Sequence, residues 1–273
     1  MPVRSPLINV MMKAADKAAR GLKRDFGEVE QLQVSLKGPA DFVSNADLKA
    51  ERTLRAELTR ARPGYGLLME ESGATPGEDP RHRWIVDPLD GTSNFLHGLP
   101  HWAISIALEQ DGEIVAGLVH DPIKDEIFWA EKGGGAFLND RRLRVSGRRR
   151  LSEALLGTGM PFSGHGDGAA YLGQLDAAMA ATAGIRRWGA AALDLAYVAA
   201  GRFDGFWESG LSPWDIAAGI LLVREAGGYV TELDGGRDML ASGNVLAAND
   251  HLHGEIARLL AREAPAAAAA SGR

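Results

Sequence analysis

The sequence of 273 residues is 45% hydrophobic and 24% charged, which is the composition of an ordinary globular protein. Its formal net charge of -6 argues against nucleic acid as a partner, because nucleic-acid-binding proteins present a basic surface to the phosphate backbone. The lack of cysteine excludes disulfides, thiolate zinc sites and cysteine nucleophiles. No apolar stretch is long enough for a secretory signal or a membrane span, so we expect a cytoplasmic protein with a small-molecule ligand.

The pattern of residues 1–140 predicts that this half of the chain has an α+β fold. Ser5 and Pro6 favour the start of a first helix, and Asn45–Ala61 has apolar residues at helical spacing. Between these helices and residue 138 the pattern changes to short strands, with Asp111 and Gly112 as a hairpin turn. The predicted strands cover residues 66–69, 84–86, 103–108, 114–120 and 127–130.

Residues 141–263 predict an α/β half that completes the active site. Apolar strands alternate there with helices near residues 168–183, 189–201, 213–226 and 251–263. The arginine-rich segment 141–150 that precedes them is typical of a charged surface turn. Gly133, Gly134 and Gly135 join two strand-like segments, so we do not expect a nucleotide-binding loop there. The alanine-rich residues 264–273 predict a disordered tail.

Two aspartates follow directly on the predicted strand 84–86. Pro88 and Gly91 let the backbone curl, which would bring the carboxylates of Asp87 and Asp90 toward one point. Hard oxygen ligands of this kind, with the carbonyl of Leu89 nearby, suit magnesium. The small residues that follow would let a phosphate approach backbone N–H groups at the start of a helical turn. Because all of these are also common turn residues, this motif alone leaves a surface turn open as the alternative.

The other acidic positions are ambiguous when they are taken one at a time. Glu70 ends the predicted strand 66–69, where a solvated loop is the ordinary explanation. Asp215 follows Ser212 at the spacing of a capping box, and helix capping would not prevent it from binding a metal. Asp47 would lie in the first turn of the second helix, where a carboxylate favours the positive helix end.

Taken together, these segments resemble the inositol monophosphatase family over residues 7 to 263. Residues 84–98 are similar to the first motif of the family, and residues 214–219 with 225–228 are similar to its second. The Glu70 and Asp47 segments match in the expected order. Residues 186–196 resemble a segment near the substrate in bacterial members, and Glu208 stands where the family has an acid that contacts sugar hydroxyls.

The resemblance implies a five-layered αβαβα sandwich of the inositol monophosphatase and fructose-1,6-bisphosphatase type, usually a homodimer. It also implies magnesium ions, roughly two or three per site, and inhibition by lithium. The implied metal ligands are Glu70, Asp87, the carbonyl of Leu89, Asp90 and Asp215. Glu70 and Thr92 would orient and deprotonate a water, and Asp47 would hold the outer shell of the site. The implied substrate contacts are Asp90, Gly91, Thr92, Ser93, Ala190, Glu208 and Asp215.

The leading interpretation is an inositol-1-monophosphatase that hydrolyses the ester to myo-inositol and phosphate with a metal-activated water. Ser93 stands where threonine is common, and Ala190 stands where many members have a serine beside the substrate, which leaves the substrate open. The same chemistry on histidinol phosphate, fructose 1,6-bisphosphate or 3′-phosphoadenosine 5′-phosphate is the alternative. A further alternative is a non-catalytic binding or regulatory protein that uses the arginines at 141–150.

Overall fold

Helices and sheets alternate in five layers in the computed structural model, which describes residues 4–28, 34–38, 41–161 and 167–261. This arrangement is the αβαβα sandwich that the resemblance implies. Apolar side chains fill the spaces between successive layers. The predicted tail, residues 264–273, lies outside the described residues.

The first layer contains two helices, α1 (Pro6–Phe26) and α2 (Asn45–Ala61). The Ser5 hydroxyl accepts a hydrogen bond from the N–H of Ile8 at 3.2 Å and caps α1. Both predicted helices are confirmed. Between them the chain forms a hairpin that the sequence did not predict, from β1 (Val34–Gly38) and β2 (Asp41–Ser44).

The second layer is an eight-stranded sheet in the order β10-β9-β8-β7-β6-β5-β3-β4. Only the pairing of β3 with β5 is parallel among the pairs within this sheet. The predicted hairpin turn is confirmed, since Asp111 and Gly112 have φ angles of 51° and 80°. The strands are β3 (Tyr65–Met69), β4 (Gly73–Thr75), β5 (Asp79–Asp90), β6 (Ala103–Gln110), β7 (Glu113–Asp121), β8 (Glu126–Glu131), β9 (Gly135–Leu138) and β10 (Arg141–Arg142). A short helix, α3 (Thr92–Leu96), follows β5.

The third layer contains α5 (Ala191–Ala199) and α6 (Pro213–Glu225), which lie between the two sheets. Every residue of α5 and residues 216–223 of α6 are buried, as expected for helices that are covered on both sides. Gly219 permits close packing of the two helices, because a Cβ there would lie 2.5 Å from the Leu195 side chain.

The fourth layer is a five-stranded sheet in the order β12-β11-β13-β15-β14, and its outer face is covered by α4 (Gly168–Ala181) and α8 (His253–Ala261). Strand β11 runs parallel to both of its neighbours. The strands are β11 (Leu155–Thr158), β12 (Gly184–Arg186), β13 (Gly205–Glu208), β14 (Tyr229–Thr231) and β15 (Val245–Ala248), and a short helix, α7 (Met239–Ser242), precedes β15.

No helix in the described residues combines the length and the apolar character that crossing a membrane requires.

Candidate active site

A cavity of ≈ 320 Å³ opens where β3, β5 and β13 end and where α3, α5 and α6 begin. Its lining residues therefore come from segments that are far apart in the sequence. Nine of the predicted site residues line this cavity: Glu70, Asp87, Leu89, Asp90, Gly91, Thr92, Ser93, Glu208 and Asp215.

Three carboxylates converge in this cavity. Asp87, Asp90 and Asp215 each offer an oxygen atom, and these atoms lie within 4.8 Å of one another. Asp87 and Asp90 lie on either side of an irregularity in the pairing of β5 with β6, where the strand bends out of register. The N–H of Leu89 donates to Asp87 Oδ1 at 2.8 Å and holds this bend. The curled backbone that the sequence predicted is thus a bulge at the end of a central strand.

Asp215 reaches the cluster from the start of α6. The Ser105 hydroxyl donates to the carbonyl of Trp214 at 3.0 Å and ties the first turn of α6 to β6. The N–H of Ser212 donates to Asp215 Oδ2 at 2.7 Å, which is a capping interaction. The Asp215 side chain therefore both caps α6 and belongs to the acidic cluster.

Burial and mutual repulsion raise the pKa values of these acids. For Asp87 the pKa lies well above its ordinary value because of burial first and then the negative charge of Glu70. Burial raises the pKa of Asp90 to about 7, although the N–H of Ala192 donates to its Oδ2 at 2.9 Å and opposes the shift. Burial and the charge of Asp90 likewise raise the pKa of Asp215. A divalent cation between these oxygens would remove the repulsion, so the donor set fits magnesium.

Thr92 and Asp47 form a second unit beside the acids. The Thr92 hydroxyl lies 3.1 Å from Asp47 Oδ1 and 3.0 Å from the carbonyl oxygen of Leu89, and its single proton can serve only one of them. Asp47 is fully buried and accepts hydrogen bonds at its Oδ2 from the N–H of Ser44 at 3.0 Å and from the Ser44 hydroxyl at 2.5 Å. Asp47 is not among the residues that line the cavity, so it contacts the site through Thr92.

Gly91 lines the cavity directly after Asp90. Its φ angle of 89° is in the left-handed region, and a Cβ there would lie 3.2 Å from the Cβ of Ala190 and 3.1 Å from the carbonyl oxygen of His101. Ala190 is buried behind Gly91, while its neighbours Gly189 and Ala191 line the cavity. The predicted substrate contact at Ala190 is therefore separated from the cavity by the residues around it.

Glu208 and Arg187 also line the cavity and lie close enough to influence each other. Burial first and then the charge of Asp215 raise the pKa of Glu208 to about 8, and Arg187 opposes this shift. The Asn94 side chain donates to the carbonyl oxygen of Trp188 at 2.7 Å and fixes the segment that carries Arg187. Arg187 is the one cationic side chain among the residues that line this cavity in the described part of the chain.

Arg187 and Gly159 were not predicted as site residues. Arg187 falls in the segment 186–196 that resembles the region near the substrate, so that similarity was the available signal. Gly159 gave no local signal in the sequence, yet a Cβ on it would lie 1.8 Å from the carboxyl carbon of Glu208.

Asp194 on α5 is a further buried acid that was not predicted. Both of its carboxylate oxygens are buried without a hydrogen-bond partner among the described residues. Burial raises the pKa of Asp194 well above its ordinary value.

A sequence profile of the inositol monophosphatase family matches residues 3–266. The chain belongs to the inositol monophosphatase family. Proteins of this family are phosphoric monoester hydrolases, and this enzyme class is therefore assigned to the chain.

Individual relatives agree with this assignment. An inositol-1-monophosphatase of Mesorhizobium japonicum is 64% identical over 247 residues, which are 90% of this chain and 93% of that protein. A protein named Nus factor SuhB from Pseudomonas aeruginosa is 46% identical over 89% of this chain and 92% of its own length. The solved structure of the extragenic suppressor protein suhB from Bartonella henselae has a TM-score of 0.91 and 60% identity, and the match covers 94% of this chain and 98% of that one.

Proposed function

We propose that this family member is a magnesium-dependent inositol-1-monophosphatase. The observation that carries the proposal is the convergence of Asp87, Asp90 and Asp215 within 4.8 Å in a cavity that Glu70 also lines. The name of the Mesorhizobium japonicum relative supports the substrate. The products would be myo-inositol and phosphate.

Glu70, Asp87, the Leu89 carbonyl, Asp90 and Asp215 would hold the metal ions. All five are oxygen donors, and hard oxygen ligands without nitrogen or sulfur favour magnesium over zinc or copper. When bound, magnesium would neutralise the phosphate oxygens and lower the pKa of a water.

Thr92 and Glu70 would position and deprotonate the attacking water. If the Thr92 hydroxyl donates its hydrogen bond to Asp47 Oδ1, 3.1 Å away, its oxygen lone pairs remain free to accept a hydrogen bond from that water. Asp47 would then act as the residue that fixes the orientation of Thr92. In the family resemblance, the N–H groups of Gly91 and Thr92 bind the phosphate and Ser93 lies close to the substrate, whereas Ala190 would contribute only by packing behind Gly91.

Glu208 would recognise the hydroxyl groups of the inositol ring. A carboxylate can accept hydrogen bonds from two neighbouring hydroxyls, which a nucleotide or histidinol substrate would not present in the same pattern. Arg187, on the same side of the cavity, would provide a positive charge for the phosphate ester.

A panel of phosphate esters tests this proposal directly. The purified chain would be assayed with inositol 1-phosphate, histidinol phosphate, fructose 1,6-bisphosphate and 3′-phosphoadenosine 5′-phosphate, each with magnesium and with EDTA. We expect the highest kcat/KM for inositol 1-phosphate, loss of activity in EDTA and full recovery with added magnesium. Unchanged turnover in EDTA would contradict the metal mechanism, and a higher kcat/KM for another ester would reassign the substrate.

The proposal extends to a cytoplasmic homodimer that lithium inhibits, as the family resemblance implies. Sedimentation velocity would measure the mass of the protein in solution, and a monomer would contradict this part. A lithium titration of the activity at fixed magnesium would test the inhibition separately.

A second, separate role in binding another macromolecule is favoured by relatives named Nus factor SuhB. All six arginines of residues 141–150 are exposed, although Arg150 pairs with Glu153 and Arg148 donates to the carbonyl oxygen of Glu153 at 3.2 Å. Affinity capture from a lysate, compared between the native chain and an Arg148→Glu, Arg149→Glu variant, would test it. Identical captured material would exclude the segment, and full phosphatase activity of the variant would separate the two roles.

A further inference from the structure

A second cavity of ≈ 280 Å³ lies at the other end of α6, away from the acidic cluster. Its walls are the turn between β6 and β7, the glycine turn between β8 and β9, the last turn of α6 and the segment 237–240. Because α6 has 13 residues, the two ends of this helix are about 18 Å apart at a rise of about 1.5 Å per residue. This cavity is therefore separate from the candidate active site.

Two arginines line this cavity without an anionic partner. Neither Arg224 nor Arg237 forms an ion pair or a side-chain hydrogen bond with any residue in the described ranges. The two guanidinium groups act on each other, since burial first and then the positive charge of Arg237 lower the pKa of Arg224. The fold thus holds two positive charges together at one end of a helix.

None of the three acidic side chains in the same wall forms an ion pair with either arginine among the described residues. Glu225 accepts hydrogen bonds from the N–H groups of Gly133 and Gly135, both at 2.8 Å, and Glu113 pairs with Lys132. Asp238 lies beyond ion-pair distance from both arginines. The wall carries three basic and three acidic side chains, so a bound anion would be held by direct contacts with the two guanidinium groups and not by a net positive field.

The glycine turn explains how this cavity keeps its shape. Gly133 and Gly135 have positive φ angles of 76° and 91°, and the carboxylate of Glu225 fixes both of their N–H groups to the end of α6. Lys132, the first residue of this turn, lines the cavity, so these hydrogen bonds hold one wall of the cavity in place. A rigid wall reduces the ordering cost of binding a ligand.

We propose that this cavity is a second oxyanion site, in which Arg224 and Arg237 together bind a phosphate group. Guanidinium groups form paired, charge-assisted hydrogen bonds with phosphate oxygens, and an anion between them would replace their mutual repulsion by attraction. The cavity is large enough for inorganic phosphate or for the phosphate of a small ester.

Binding of inorganic phosphate to EDTA-treated protein tests the site, because chelation removes the metals that would hold phosphate at the acidic cluster. Isothermal titration calorimetry at constant ionic strength would compare the native chain with an Arg224→Gln, Arg237→Gln variant. The matched control is Arg141→Gln, Arg149→Gln, which removes two exposed arginines outside this cavity. We expect the native chain and the control to bind alike, and the cavity variant to bind at least tenfold more weakly.

Asp90→Asn serves as a second control. Its phosphate affinity in EDTA should equal that of the native chain if the phosphate binds away from the acidic cluster. A tenfold change in this variant would place the phosphate at the active site and overturn the proposal. Absence of saturable binding by the native chain, or equal binding by the cavity variant, would overturn it as well.

Thermal melting gives an independent readout that a merely structural role of the arginines would not produce. In chloride buffer the cavity variant should melt at the same temperature as the native chain or above it, because one repulsive pair is removed. Added phosphate should raise the melting temperature of the native chain and of the control, but not of the variant. If the double variant does not fold, Arg237→Gln alone, in the segment after β14, provides the same comparison.

Discussion

The two ends of α6 hold opposite charges in contrasting surroundings. At its start, Asp215 joins Asp87 and Asp90 in a cluster whose pKa values are raised chiefly by burial. At its end, Arg224 and Arg237 share an open cavity in which both residues remain exposed. Water screens the arginines but not the buried acids, so like charges cost far more at the acidic end. We therefore expect changes at the acidic end to have the larger effects.

Asp90→Asn should have the largest effect on activity. It replaces one of the converging carboxylates by a neutral amide, whose remaining oxygen can still accept the N–H of Ala192. We expect kcat/KM for inositol 1-phosphate to fall about a thousandfold, which corresponds to about 4 kcal/mol. Stability in EDTA should be unchanged or higher, because one buried charge is lost. The control Asp238→Asn, at the other end of α6, should keep native activity, and near-native turnover of Asp90→Asn would mean that the site is misplaced.

The pH dependence of stability should distinguish the metal-free from the magnesium-bound protein. The pKa values of Asp90, about 7, and Glu208, about 8, are raised in the folded state, so the folded protein holds more protons than the unfolded chain. Stability in EDTA should therefore be highest at low pH and should decrease as the pH rises through 7 and 8. Since one pKa unit corresponds to about 1.4 kcal/mol, and pH 6 lies about one unit below the first value and about two units below the second, we expect a loss of about 4 kcal/mol between pH 6 and pH 9.

Urea unfolding at several pH values would measure this loss. Magnesium should make the free energy of unfolding less dependent on pH, because its positive charge compensates the charges of the acids. Asp90→Asn should weaken this pH dependence in EDTA as well. A stability that increases with pH between 6 and 9 in EDTA would contradict the proposed origin of these pKa shifts.

Gly159→Ala should affect substrate recognition more than catalysis. An added Cβ would lie 1.8 Å from the carboxyl carbon of Glu208, and this flexible side chain would have to move away. We expect KM for inositol 1-phosphate to rise about tenfold, or about 1.4 kcal/mol, while 4-nitrophenyl phosphate, which lacks ring hydroxyls, is hydrolysed as before. Gly168→Ala is the matched control, because nothing lies within 4 Å of a Cβ there. Equal losses on both substrates would assign Glu208 a role other than recognition.

Local signals in the sequence predicted the longer helices to within a few residues, but not the short helix α7. Ser5 and Pro6 cap α1, and Ser44 with Asp47 caps α2, so each start is encoded within a few residues. The β1–β2 hairpin and the two-residue strand β10 (Arg141–Arg142) were not predicted. Short strands such as these depend on pairing with other segments, which hydrophobic periodicity does not report.

The candidate site was predictable from spacing only in part. Asp87 and Asp90 lie close in the sequence, and Pro88 with Gly91 indicated the bend between strand and helix. The approach of Asp215 depends on the packing of α6 between two sheets, so only the family resemblance indicated it. Gly159 could not be found from the sequence, because it meets Glu208 through the parallel pairing of β11 with β13, where Thr158 lies opposite Trp207.

The smallest effects are expected at the end of α6 that carries the arginines, first from Glu225→Ala. This change removes the acceptor of the N–H groups of Gly133, which is exposed, and Gly135, which is buried, so the loss in the free energy of unfolding should be about 1 to 2 kcal/mol. Glu113→Ala, which breaks only the exposed pair with Lys132, should cost less, about 0.5 kcal/mol at most. Urea unfolding would measure both variants. If Glu225→Ala cost as much as the pH-dependent loss expected at the acidic end, the contrast between the buried and the exposed end of α6 would be wrong.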